Sequence, residues 1–156
     1  MIAHPPCTHL SVSGARWFKG KQAKQAAALD FVRQLLDAPI PRIALENPVS
    51  IISSHIRKPD QIIQPWMFGH KEKKGTGLWL KGLPKLVPTT DLKEETDALP
   101  IAVQQRIHWQ APGKDRWKIR STTFKGIAKA MAKQWGIIDE DPLIKRVIQL
   151  TGMAKA

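Results

Sequence analysis

The 156-residue sequence predicts an α/β fold, and three observations carry that expectation. Two short apolar runs, residues 1–4 and Arg42 to Leu45, read as strands, and the stretch between them, Gln22 to Asp37, has helical periodicity. A strand-helix-strand unit of this kind is normally a right-handed crossover that lays its two strands side by side in parallel. Hydrophobic residues make up 42% of the chain, which at this length suffices for one domain with a core.

Taken in order, the first strand ends at Pro5-Pro6, and residues 8–20 follow as a polar, glycine-containing loop. In the helix from Gln22 to Asp37, Ala28, Phe31, Val32, Leu35 and Leu36 are spaced as one buried face, and Pro39 and Pro41 end it. Ser50 to Arg57 is expected as a short helix, Gln61 to Pro65 as an extended segment and Thr76 to Lys81 as a strand. Gly75 and Gly77, flanking Thr76, read as a turn. Residues 85–114, with Pro88, Thr89, Thr90, Glu94, Glu95 and Asp97, lack clear periodicity and are expected to form a loop or small insertion.

Ser121 or Thr122 is placed to cap a helix whose apolar stripe is Ile127, Ala130, Met131 and Trp135 and which ends at Gly136. The plain reading of Trp135 is core. A last helix follows Asp141-Pro142, with Leu143, Val147 and Leu150 facing inward. The expected organisation is a single domain, 1–156: residues 1–84 form the sheet, 85–114 the insertion and 115–156 the C-terminal helices.

Composition narrows the function classes. No apolar run of about eighteen residues is present, so no membrane span is expected, and the amino terminus lacks the apolar stretch of a secretory signal. The expected location is the cytoplasm. Twenty-five basic residues against 13 acidic ones give a formal charge of +12, which favours a polyanionic partner, most obviously DNA. The basic residues cluster as Lys19, Lys21 and Lys24; as Lys71, Lys73 and Lys74; and as Lys114, Arg116, Lys118 and Arg120 followed by Lys125, Lys129 and Lys133. The last three, four residues apart, share a helix face that is either a solvated surface or a phosphate track. Gln104, Gln105, Arg106, His108 and Trp109 are candidates for base or phosphate contact, or equally for an ordinary surface loop.

The chemistry-bearing residues sit at the strand ends. Cys7, in His4-Pro5-Pro6-Cys7-Thr8, is the only cysteine, so it forms no intramolecular disulfide. Leu45-Glu46-Asn47-Pro48 follows the second strand. A parallel crossover brings Cys7 and Glu46 out together at the carboxyl edge of the sheet, where open α/β folds bind ligands. There a thiolate can attack a base and a carboxylic acid can protonate it. His4 and His9 bracket Cys7, but with no second cysteine and no His-x-x-x-His pair a metal site is not expected. His4 reads instead as tuning or shielding the thiol, or as completing the strand.

These motifs resemble those of the cytosine-C5 DNA methyltransferases, above all the short phage and prophage versions. The likeness extends through Ile43-Ala44-Leu45-Glu46-Asn47-Pro48, Gln64-Pro65-Trp66-Met67-Phe68-Gly69-His70 and Leu78-Trp79-Leu80-Lys81-Gly82-Leu83-Pro84, and through Arg120 to Trp135. It implies a partial Rossmann-like methyltransferase sheet, with Thr76 to Lys81 at its far end. It also implies Cys7 adding to C6 of a flipped cytosine, Glu46 at N3 and S-adenosylmethionine as methyl donor. By the same likeness Pro5, Pro6, Asn47, Lys74, Thr76 and Arg120 would contact substrate, Thr122 and Thr123 would contact the cofactor, and the protein would act in the host cytoplasm if phage-encoded.

The sequence departs from the family at Thr8, where glutamine is usual, and at Pro48, where valine is usual; neither change removes a reacting atom. The family holds its cofactor on a glycine-rich turn and an acidic residue upstream of the strand that leads into Pro-Pro-Cys, and only Met1, Ile2 and Ala3 precede the His4-Pro5-Pro6-Cys7 motif here. No strand followed by a glycine-rich turn and helix occurs elsewhere in the sequence. Two expectations follow: a methyltransferase-like enzyme completed by a second chain or by upstream residues, or a non-catalytic nucleic-acid or nucleotide-binding module that keeps the pocket.

Overall fold

A computed structural model describes residues 1–11, 20 and 22–136. The expectations for Arg16 to Lys19, for Lys21 and for a helix after Asp141 lie outside the described residues. Four strands, β1 (Ile2–Ala3), β2 (Ile43–Pro48), β3 (Gln61–Ile63) and β4 (Thr76–Lys81), form one mixed sheet in the order β1-β2-β4-β3. β1 pairs with β2 in parallel across helix α1 (Gln22–Asp37), as the crossover reading requires. β4 lies antiparallel to both β2 and β3.

Strand alternation sends successive side chains to opposite faces of the sheet, and each face has its own core. On one, Leu45 of β2 and Trp79 of β4 pack with Leu29 and Val32 of α1, with Leu10, and with Ile52 of the short helix α2 (Ile52–His55). On the other, Leu78 and Ile63 pack with Phe68, Leu86 and with Ile127, Ala130 and Met131 of α6 (Lys125–Trp135). Trp135 flanks this second cluster and donates from Nε1 to the Pro84 carbonyl at 3.1 Å, so it belongs to the packing.

The buried face of α1 differs by one residue from the expected stripe. Leu29 is buried and Phe31 is 45% exposed, while Ala28, Leu35 and Leu36 flank the core as expected. Each residue turns a helix by about 100°, so Phe31 stands a quarter-turn or more away from Val32, the most deeply buried residue of the helix. β2 also runs further than expected. Its ladder with β4 continues through Asn47 opposite Gly77 and Pro48 opposite Thr76, so Glu46 lies within the strand and not beyond it.

The stretch 85–114 holds two short helices, α3 (Lys93–Asp97) and α4 (Ile101–Gln104), and a third, α5 (Arg116–Ser121), follows it. Ser121 and Thr122 close α5 and do not cap α6. The Thr122 hydroxyl donates to the Lys118 carbonyl at 2.8 Å, and the residue preceding α6 is Phe124, with no side-chain cap. α6 can approach closely because Gly126 has no Cβ: an ideal Cβ there would fall 1.9 Å from the Phe68 carbonyl oxygen. Among the described residues no helix is long and apolar enough to cross a membrane.

Candidate functional site

The site grows out of the β1/β2 register. Ile2 pairs with Ala44 and Ala3 with Leu45, so one further step sets His4 beside Glu46. Nδ1 of His4 stands 3.1 Å from Oε2 of Glu46, whose side chain is only 11% exposed. The pair is an electrostatic contact without good hydrogen-bond alignment, because that buried oxygen has no hydrogen-bond partner among the described residues. Close contact with the Glu46 carboxylate raises the His4 pKa above its ordinary 6.5, against burial and the nearby Lys74 ammonium, which lower it.

Asn47 points to the other side of the strand and fastens the Pro-Pro segment. Its Nδ2 donates to the Pro5 carbonyl at 2.8 Å; Asn47 and Pro5 are both buried, whereas Pro6 is exposed. Beyond the prolines, the Cys7 carbonyl accepts the backbone N–H groups of Leu10 and Ser11 at 3.0 and 2.9 Å, forming a turn that leaves the Cys7 side exposed. The commonest fate of a lone cysteine, burial as a small hydrophobe, does not apply here.

Lys74, just ahead of β4, ties these groups together. Burial lowers its pKa below the ordinary lysine value, while Glu46 and Cys7 both act to raise it and Arg120 lowers it further, so the ammonium lies in the field of thiol and carboxylate alike. It is held by a 2.8 Å hydrogen bond to the Arg120 carbonyl and stands 5.9 Å from the centre of the Phe124 ring. Thr76 supports this arrangement from below. It is buried, and its hydroxyl donates to the Lys74 carbonyl at 3.3 Å, which leaves it as scaffold rather than as a group facing substrate.

Four of the expected residues, Cys7, Glu46, Lys74 and Arg120, thus gather at one place, with Pro5, Asn47 and Thr76 holding them. Others are occupied elsewhere. Lys71 pairs with Glu95 and Lys73 with Asp97, both at 2.5 Å, and Arg106 pairs with Glu72 at 2.7 Å. Lys73 and Lys93 together hold the Asp97 carboxyl down to about 2. Gln104 is buried and donates to the carbonyls of Asp97 and Leu99, which makes it a structural residue and removes it from the candidates for base contact. Thr122 donates its hydroxyl to the Lys118 carbonyl, which leaves that oxygen only as an acceptor.

Two contributors went unread in the sequence. The pairing of His4 with Glu46 follows from extending the strand register by one residue, so a signal for it existed. Phe124 had none: it reaches the site only through the fold, its ring tilted at 58° to that of His70 with centroids 5.0 Å apart, and His70 accepts the Gly126 N–H at 2.9 Å. The clefts lined by Met1, Ile2 and Trp135 and by Arg33, His55 and Arg57 include neither Cys7 nor Glu46. The thiol is exposed at the sheet edge, and the carboxylate is largely covered beside it. The fold and site define an α/β domain carrying a thiol, a carboxylate and a half-buried ammonium at the edge of a mixed sheet. No protein-family model, curated protein or solved structure matches the chain.

Proposed function

We propose that this chain binds cytosine in DNA and activates it by thiol addition, as a cytosine-C5 DNA methyltransferase-like domain. The observation that carries the reading is the convergence of Cys7 and Glu46, from successive parallel strands, on the Lys74 ammonium. The Cys7 thiolate forms a bond to C6 of the ring, and the electron pair of the C5–C6 double bond is displaced toward N3, which takes a proton from Glu46. C5 becomes nucleophilic. His4, in contact with Glu46, returns the proton from solvent, and Lys74 balances the negative charge that thiolate and carboxylate bring together.

S-adenosylmethionine, the donor implied by the resemblance, would supply a methyl group to C5 when bound. Of the two threonines that the resemblance assigns to it, Thr122 donates its hydroxyl to the Lys118 carbonyl and could meet the methyl donor only as an acceptor. The donor site is proposed to come from a second chain or from residues upstream.

Thiol addition is measurable without a methyl donor, because activated C5 takes a proton from water and loses its original hydrogen when Cys7 departs. DNA carrying tritium at C5 of cytosine should therefore release it to water in the presence of this protein. Cys7→Ser should abolish release, and Glu46→Gln should slow it by roughly 100-fold or more. Bound DNA with no release from the unaltered chain would reject thiol addition and leave the non-catalytic binding module as the reading.

A further inference from the structure

We propose that the segment from Gln105 to Arg120 is a stacking platform for an unpaired nucleic-acid strand, continuous with the Lys74 site; it rests on the nucleic-acid reading above for the sign of its ligand. Two indoles are the starting point. Trp109 is 65% exposed and Trp117 72% exposed, whereas tryptophan is a residue that proteins bury heavily on average. The Trp109 Nε1 donates to Oε1 of Gln105, four residues back, at 3.4 Å.

Positive charge surrounds them. From Gly113 to Ser121 the chain presents Lys114, Arg116, Lys118 and Arg120 against the single acid Asp115. The Lys74 ammonium donates to the Arg120 carbonyl at 2.8 Å, which ties α5 to Lys74, and His108, beside Trp109, has its pKa lowered by burial and then by Arg120 and Lys74. Arg120 follows Trp117 by three residues on α5, which places the two on adjoining faces of that helix.

The occupant follows from what each nucleic acid offers. In a duplex the base faces are covered by their neighbours, and sequence is read by elements that enter a groove. α4 and α5 have four and six residues, too short for that role. An unpaired strand instead exposes base faces that stack on indoles while its phosphates follow the cationic side chains.

The test is fluorescence anisotropy of one mixed-sequence oligonucleotide, labelled and presented as a DNA single strand, an RNA single strand and a DNA duplex. A single strand should bind at least about 10-fold more tightly than the duplex, with the tighter of the two single strands identifying the sugar. Trp109→Ala and Trp117→Ala should each weaken single-strand binding by roughly 5- to 100-fold while leaving duplex binding unchanged. Trp117→Phe, which keeps a stacking face, should retain most of the affinity. Duplex binding that equals or exceeds single-strand binding, tryptophan variants that bind like the unaltered chain, or no binding of any nucleic acid would overturn the proposal. Tritium release measured on the unaltered chain separates the two readings: no release with tryptophan-dependent strand binding intact rejects thiol addition alone, and release with no tryptophan effect on strand binding rejects the platform alone.

Discussion

At the scale of single residues, the contact between His4 and Glu46 sets a pH dependence whose sign is fixed. The raised His4 pKa means that the charged imidazole is favoured by folding. Its contribution is therefore complete below the ordinary value of about 6.5 and is lost as pH rises through the higher folded value. The His4 side chain is 49% exposed, so solvent screening limits the effect to about 0.5 kcal/mol or less. Urea titrations of the unaltered chain and His4→Ala should differ at pH 5.5 and coincide near pH 8.5. Asn47 acts through a buried neutral bond with no such dependence. Asn47→Ala should cost about 1–2 kcal/mol at any pH by leaving the Pro5 carbonyl unpaired, again read by urea titration. Cys7 and Glu46 were legible because a crossover places successive strand ends together. The roles of Thr76, Thr122 and Gln104 were not, since a polar side chain in sequence does not reveal which nearby carbonyl it will satisfy.

At the scale of elements, legibility followed length. α1 and β4 have the bounds that periodicity and flanking prolines or glycines indicate, because a helix of 16 residues and a strand of six each leave a repeating apolar pattern. α3, α4 and α5 have four to six residues and bury at most one side chain each, so no period forms. α6 was read from its stripe, but its docking depends on a glycine whose purpose appears only in three dimensions. Gly126→Ala would drive Cβ to 1.9 Å from the Phe68 carbonyl oxygen. The helix must shift away from Phe68 and His70, at an expected cost of about 1–3 kcal/mol or more, seen as a lower denaturation midpoint.

At the scale of the whole molecule, the charge of +12 is unevenly committed. Acidic partners neutralise Lys71, Lys73, Lys93 and Arg106, while Lys114, Lys118, Lys125, Lys129 and Lys133 are exposed and free of ion pairs among the described residues. If about five cations meet phosphate, the logarithm of the single-strand binding constant should fall against the logarithm of salt concentration with a slope of roughly −3.5. A slope near zero would assign the excess charge to solvation. The mixed sheet carries a last consequence. Glu46 lies on β2, clasped between β1 and β4, whereas Cys7 belongs to a turn closed by two backbone hydrogen bonds. Amide protons along β2 should exchange with deuterium only through global opening, and those of Leu10 and Ser11 through local opening at lower free energy. The carboxylate is then the stationary member of the pair, and the thiol the member whose position a local opening can change.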